Sequence, residues 1–145
     1  MCSYGVRIPD EVPPDVRMVY IRDRLLETVP QRHLGFLANL ELARVIGDFF
    51  FVHAGINPER PLSEQIPKDL MWIRGAFLKS DRDFGKVVVH GHSVTSVPEI
   101  RQNRIGIDTG ACYNNNLTCV VLEGANKRFL STSAVASCMD RVAAL

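Results

Sequence analysis

Two short apolar runs decide how this chain folds, and each ends in a histidine next to a glycine. Residues 49–55 read FFFVHAG, and residues 87–92 read VVVHGH. An unbroken apolar run without alternation is typical of a strand covered on both faces. In α/β proteins, side chains at the ends of such strands surround ligands. The sequence therefore predicts an α/β fold with imidazole groups at one edge of its sheet.

The composition is that of one globular domain without an excess of charge. The chain has 145 residues, of which 46% are hydrophobic and 23% charged, and its formal net charge is +1. This balance gives no indication of nucleic acid or an anionic membrane as a partner. We find neither a bilayer-length apolar segment nor the pattern of a signal peptide. The four cysteines lack CxxC spacing, which favours reduced thiols in a cytoplasmic protein.

Periodicity predicts the elements around the two runs. Apolar residues at three- and four-residue steps predict a helix over 18–29 and a second, shorter helix over 33–40. A hairpin over 42–52 with Gly47-Asp48 as its turn is expected next, and a helix over 69–78 follows. Further strands are predicted at residues 86–89, 104–107, 117–122 and 128–130.

Three histidines at the strand ends are candidate metal ligands. Neutral imidazole binds divalent transition metals well, and His53 follows the first run directly. His90 and His92 would point the same way on a continuous strand. Gly91 is expected to end that strand, so the two rings should diverge and one of them should face the metal.

Three other positions could contribute to the chemistry. Arg74 could hold a phosphate through two parallel hydrogen bonds, although a solvated surface arginine is the more common role. Asp108 could be a metal ligand, an acceptor that orients a histidine, or the start of an Asx turn with Gly110. Cys119 lies in an apolar strand and is predicted to be buried and unreactive. Residues 113–116 are predicted to form a turn.

Five blocks of sequence occur in a recognisable order. They are VHAGI at 52–56, DLMWIR at 69–74, VVHGHS at 88–93, IDTGA at 107–111 and LTCVVLEG at 117–124. This series resembles the C-terminal half of the calcineurin-like metallophosphoesterases, and most closely the bacterial phosphatases similar to serine/threonine phosphoprotein phosphatases. The resemblance spans residues 4 to 130, and five blocks in order are far more specific than any one of them.

The resemblance implies a fold and a set of site residues. The fold is the C-terminal half of a metallophosphoesterase β-sandwich flanked by helices, an incomplete domain over residues 1–130 with a tail over 131–145. Members of the family bind two metal ions, Mn²⁺ or Fe and Zn, whose bridging hydroxide attacks phosphorus. By resemblance, His53 and His92 are ligands of one ion, and His90 lies near the metal without binding it. Arg74 is implied to bind phosphate oxygens, and Tyr113 to face the substrate.

The family's other metal ligands and its general acid lie in three motifs that this sequence lacks. These motifs are Asp-x-His, Gly-Asp-x-x-Asp-Arg-Gly and Gly-Asn-His-Glu. Residues 3–6 resemble a stretch that follows the third motif in complete members, so we expect Met1 to lie inside the family domain. Two imidazoles supply neither the charge nor the ligand count of a dinuclear site. We therefore expect at most a partial metal site, no retained catalytic residue and no activity of the chain alone.

Three functions remain open at this point. The first is a metal-dependent phosphomonoester hydrolase by lineage, acting on a phosphorylated protein or a small phosphoester with a complementing N-terminal half as partner. The second is a non-catalytic binding remnant, and the third is a fragment similar to a dinucleoside-polyphosphate hydrolase. The missing half should leave strand edges and apolar faces exposed. Neither nucleic acid nor a membrane is expected as a partner.

Overall fold

The computed structural model describes residues 2–132, in two compact units that meet between Glu41 and Leu42 in the sequence. The first unit contains a 3-10 turn at Cys2–Tyr4 and two helices, α1 at Arg17–Thr28 and α2 at Gln31–Ala38. Both predicted helices are confirmed. Pro30 separates them, because proline cannot continue a helix but is favourable just before or within a first turn.

The second unit is built on a five-stranded mixed sheet in the order β1-β2-β3-β5-β4. Its strands are β1 at Ala43–Ile46, β2 at Phe49–Val52, β3 at Val87–His90, β4 at Glu99–Ile100 and β5 at Arg104–Gly106. The central strands β2, β3 and β5 are parallel, while β1 and β4 are antiparallel edge strands. The α/β class and the β1–β2 hairpin around Gly47-Asp48 are confirmed. The short strand β4 was not predicted.

The connection from β2 to β3 corrects one prediction. It contains a 3-10 turn at Leu62–Glu64 and two short helices, α3 at Pro67–Trp72 and α4 at Gly75–Leu78. The prediction of a single helix over 69–78 is wrong, because two residues interrupt it. Ile73 is extended, with ψ of 145°, and Arg74 is also non-helical. β-Branched isoleucine at position 73 and glycine at position 75 are both weak helix formers, which favours an interruption here.

A hairpin completes the second unit. After β5 come one helical turn, α5, at Ala111–Asn114, and the antiparallel pair β6 at Thr118–Glu123 and β7 at Asn126–Ser131. Asn115 ends α5 in the left-handed region, with φ of 59°, which agrees with the turn expected from the asparagines. The remaining residues of the predicted tail, 133–145, lie outside the described part of the chain.

The sheet of the second unit is covered on both faces, as the unbroken apolar runs predict. One face packs against the connection between β2 and β3, through Phe50, Ile56, Leu70, Phe77 and Val88. The other face packs against the β6–β7 hairpin, through Val89, Ile105 and Phe129 with Phe49, Phe51, Val120 and Leu122 at their margins. Alternate residues of β2 therefore belong to different cores.

Cys119 is exposed, so the prediction that it is buried is wrong. Its side chain lies on the face of β6 opposite to Thr118 and Val120, because neighbouring residues of a strand point to opposite faces.

Within residues 2–132, no helix combines the length and the apolar character that crossing a bilayer would require.

Candidate metal and phosphate site

Three loops meet where the parallel strands end. His53 follows β2, Gly91 follows β3 and Asp108 follows β5, and parallel strands bring such positions to one edge of the sheet. Backbone hydrogen bonds join the loops: the Gly91 amide donates to the His53 carbonyl across 2.9 Å, and the Thr95 amide donates to the Asp108 carbonyl across 3.0 Å. The predicted clustering of histidines at a sheet edge is confirmed.

Two of these histidines are in direct contact. The Nε2 atom of His53 lies 3.2 Å from the Nδ1 atom of His92, and the ring centroids are 4.9 Å apart. Two nitrogen atoms bound to one tetrahedral Zn²⁺ at about 2.0–2.1 Å would be about 3.3 Å apart. The spacing of the pair therefore fits adjacent ligand positions on one metal ion as well as a hydrogen bond between the rings.

His92 has two features that its contact with His53 does not explain. Its backbone is in the left-handed region with φ of 63°, which is uncommon for a residue other than glycine. Its Nε2 atom is buried and has no hydrogen-bond partner among the described residues. A buried unsatisfied polar atom costs about 1–3 kcal/mol. Nε2 of His90 and Oγ of Ser93 are also buried without a partner among the described residues, so the left-handed backbone is what sets His92 apart, and such strain concentrates at functional sites.

The surroundings of His92 favour its neutral form. Burial lowers the pKa of His92 from the ordinary 6.5, and the positive charge of Arg74 and a charge on His53 lower it further. The Asp108 carboxylate and the backbone of Trp72 partly offset these effects. A histidine must be neutral to bind a metal, so this environment prepares the ring for that role near neutral pH.

Arg74 is held next to the histidine pair. Its Nη1 atom donates to the His92 carbonyl oxygen across 3.2 Å. The break between α3 and α4 directs Arg74 toward this loop. A guanidinium has five N–H groups, so most of its donors remain free for an anion. The sequence-predicted residues His53, His92 and Arg74 are thus brought together.

Trp72 is a site residue that the sequence reasoning missed. Its indole contacts the ring of His92 nearly at right angles, at 87° with centroids 5.9 Å apart. The only signal was its place in the DLMWIR block, two residues before Arg74.

His90 has a different environment from His92, as the strand end at Gly91 predicts. It is 2% exposed, on the sheet face that packs against Phe77, with ring centroids 5.0 Å apart. A Cβ on Gly106 would lie only 3.3 Å from the imidazole, so the ring is tightly enclosed. Burial lowers the pKa of His90. The ring is part of the core.

Asp108 forms an Asx turn, one of the three roles left open for it. Its Oδ1 atom accepts a hydrogen bond from the Gly110 amide at 3.0 Å. Tyr113 lies on α5 with its side chain 83% exposed. Among the described residues, no ring contact joins Tyr113 to the histidine pair, and its role toward substrate stays a prediction.

The histidine pair alone supplies too few ligands for a complete metal site. Catalytic zinc sites use three protein ligands, and structural sites use four. Within residues 2–132, no group of three or more histidine, cysteine, aspartate or glutamate side chains is arranged to hold an ion. The histidine pair therefore fits two positions on one ion without completing a site, and the described residues do not fit the two-metal centre.

An apolar groove starts at His53 and continues along β2 and β6. A cavity of about 360 Å³ lies between His53, Asp108 and Leu117, and one of about 500 Å³ lies further along. Phe51 lines both cavities. In the described chain β6 pairs only with β7, so the other edge of β6 is not used by a strand. Within the described residues, this edge fits the expectation of an unpaired strand edge.

Comparisons of the chain with models of protein families, with curated proteins and with solved structures found no match. The interpretation of the site therefore depends on its own geometry.

Proposed function

We propose that this chain contributes one part of a divalent-metal phosphoesterase site. His53 and His92 bind one ion, and Arg74 binds an oxygen of the phosphate. The observation that carries the proposal is the 3.2 Å distance between Nε2 of His53 and Nδ1 of His92. The hydrogen bond from Arg74 to the His92 backbone supports it, because it keeps an anion-binding group beside the ligand pair. The resemblance to calcineurin-like metallophosphoesterases leads to the same roles.

The described residues alone do not complete a hydrolytic site in this proposal. Two neutral imidazoles leave the charge of a divalent ion uncompensated, and the described residues offer no third ligand. The missing ligands are carboxylates, which suit Mn²⁺ and similar ions. They come from a complementing polypeptide that binds beside the histidine pair.

The groove along β2 supports this choice of partner. It is lined by Phe49, Phe51, Val120 and Leu122 at one end and opens at His53 at the other. An extended segment that paired with the free edge of β6 would cover these apolar side chains. Its end would reach the histidines, where carboxylate ligands are needed.

Metal titration tests the ligand assignment. The 145-residue chain is titrated with Mn²⁺ and with Zn²⁺ by calorimetry, together with His53→Ala and His92→Asn. Asparagine tolerates the left-handed backbone of His92, so the second variant removes the ligand with little strain. His33→Ala is the matched control, since His33 hydrogen-bonds Tyr4 in the first unit. Binding that is lost in both site variants and kept in the control supports the proposal. No binding by the wild type, or equal binding by all variants, contradicts it.

Hydrolysis of an aryl phosphate with added Mn²⁺ tests whether the site is complete. We expect no turnover by the chain alone. Robust turnover that disappears in His92→Ala would contradict the need for a complementing polypeptide while supporting the metal site. Metal binding without turnover would support a partial enzyme site. A non-catalytic remnant would bind no metal.

A further inference from the structure

The apolar groove along β2 and β6 is bordered at its two ends by exposed apolar side chains. Leu117, which is 61% exposed, lines the cavity next to His53, and Ile46, which is 60% exposed, lines the cavity further along. Phe51 lines both cavities and connects them. Single exposed apolar side chains are ordinary, whereas a continuous apolar groove is typical of a surface that binds another segment of chain.

The two strands of the β6–β7 hairpin differ in the charges that they carry. β7 contains Lys127 and Arg128, and charged side chains on an edge strand disfavour its pairing with more chain. β6 is a regular strand of six residues, and its one charged residue, Glu123, lies at its end. The edge of β6 along the groove is therefore the one that suits an added extended segment.

The chain leaves the hairpin at one end of this groove. The Thr132 amide donates to the Leu117 carbonyl across 3.0 Å, and the Leu117 amide donates to Oγ1 of Thr132 across 2.9 Å. The same hydroxyl donates to the Asn115 carbonyl across 3.0 Å. These hydrogen bonds hold Thr132 beside Leu117, which lines the first cavity. The segment that follows Thr132 therefore starts next to the groove.

This following segment has the length and the composition to fill the groove. Residues 133–145 read SAVASCMDRVAAL, in which nine of the thirteen are hydrophobic and only Asp140 and Arg141 are charged. Thirteen extended residues reach about 40 Å, about twice the length of a six-residue strand. Attachment to the same chain gives the segment a local concentration on the order of mM, so a weak contact is enough to hold it.

We propose that residues 133–145 occupy the apolar groove of their own chain between Leu117 and Ile46. Their apolar side chains cover the lining of both cavities, and the occupied groove needs neither a metal ion nor a phosphate. The proposed function assigns the same groove to a complementing polypeptide. The segment is then the competitor that this polypeptide displaces, and this last step alone rests on the proposed function.

Hydrogen exchange measured by mass spectrometry tests the proposal on the 145-residue chain without added metal. The groove variants are Leu117→Asp and Ile46→Asp, which place a charge at either end of the groove. Leu130→Asp is the matched control. Leu130 is a half-exposed leucine of β7 that pairs with Cys119, and it therefore lies on the outer face of the hairpin.

We expect exchange within residues 133–145 of the wild type to be at least about tenfold slower than that of an unprotected peptide. This protection should be lost in both groove variants and kept in Leu130→Asp. Unprotected exchange of the segment in the wild type would overturn the proposal, as would equal protection in all four proteins. If the segment is unprotected while protection of β6 rises with protein concentration, a second copy covers the groove instead.

A variant of the segment itself keeps the test decisive if a groove variant does not fold. Val135→Asp combined with Met139→Asp makes the segment less apolar and leaves the sheet unchanged, so exchange of the β6 amides should become faster. Asp140→Asn combined with Arg141→Gln keeps the apolar side chains and should leave β6 exchange as in the wild type. Equal β6 exchange in the wild type and the first double variant would also overturn the proposal. Neither result depends on metal binding, so a failure here is distinguishable from a failure of the metal titration.

Discussion

The guanidinium of Arg74 and the backbone carbonyl of His92 are joined by a hydrogen bond of 3.2 Å. This bond ties the phosphate-binding candidate to the loop that carries a metal-ligand candidate. We predict that Arg74→Met weakens inorganic phosphate binding by about 10- to 100-fold, as expected for the loss of a hydrogen bond to a charged group. Metal binding should change little, because the Gly91 amide still holds the loop to His53.

The controls for this prediction separate charge from geometry. Arg74→Lys keeps the charge without the planar fork and should fall between the wild type and Arg74→Met. Arg82 forms an ion pair with Glu59 on the surface, so Arg82→Met should leave phosphate binding unchanged. Calorimetry with inorganic phosphate measures all four proteins. Equal affinity of Arg74→Met and wild type would show that Arg74 does not contact the anion.

The location of the site was predictable from the sequence, but its geometry was not. Two apolar runs ending in histidine were enough to locate the site, because the carboxyl ends of neighbouring parallel strands lie at one edge of the sheet. Neither the 3.2 Å contact of His53 with His92 nor the left-handed backbone of His92 was indicated by the local sequence. The break at Ile73 and Arg74 was likewise not predicted, because the helical spacing of Leu70, Ile73 and Phe77 was given more weight than the weak helix propensity of isoleucine and glycine. The exposure of Cys119 was not predicted, since an apolar strand without clear alternation does not reveal which of its residues point inward.

Gly55 is required by its close approach to Phe77. Its φ is 142°, and a Cβ placed there would lie 2.3 Å from Cδ1 of Phe77, which is buried. We predict that Gly55→Ala lowers the free energy of unfolding by about 2–5 kcal/mol, through backbone strain and overpacking together. Gly75→Ala is the control: open space surrounds Gly75, so the change should stay within about 1 kcal/mol. Urea denaturation measures both, and equal midpoints would contradict the prediction.

His90 should make the stability of the second unit depend on pH. Burial lowers its pKa from 6.5, Arg104 lowers it further, and the Gly91 carbonyl, Glu99 and Asp108 act in the opposite direction. Because the folded-state pKa is below the unfolded one, the unfolded chain takes up the proton first. The stabilisation is therefore present above pH 6.5 and is lost as the pH falls below that value toward the folded-state pKa.

Replacement of this ring provides the test. Urea denaturation of the wild type and of His90→Leu is compared from about pH 7.5 to about pH 5.5, the range in which histidine titrates. We expect the wild type to lose stability on acidification and the variant to lose less. The variant should retain some dependence, because the pKa of His92 is lowered as well. If the free energy of unfolding of the two proteins changed equally with pH, His90 would not contribute to the pH dependence of stability.

Arg104 and Arg101 bind the same carboxylate from very different environments. Arg104 is 1% exposed, and its Nε donates to Oε2 of Glu99 at 3.1 Å while other donors reach the carbonyls of Leu78 and Ser80. Arg104→Met would leave these partly buried acceptors with fewer donors, and we predict a loss of about 1–3 kcal/mol in the free energy of unfolding, because Arg101 still pairs with Glu99 and Asn103 still donates to the Ser80 carbonyl. Arg101 donates to Glu99 at 2.7 Å from a half-exposed position. Arg101→Met should therefore lower the free energy of unfolding much less than Arg104→Met does, because solvent screens the exposed ion pair.

The pH dependence of the two variants adds a readout specific to the Glu99 contacts. Burial raises the pKa of Glu99, but the hydrogen bonds and charges of Arg101 and Arg104 outweigh it and lower the pKa below 4.5. The stabilisation from Glu99 is thus present above pH 4.5 and is lost as the pH falls through the folded-state pKa. Either substitution removes a group that lowers the pKa of Glu99, so each should make this loss of stability on acidification smaller. If both variants cost the same at neutral pH, burial would not be what makes the Arg104 contacts strong.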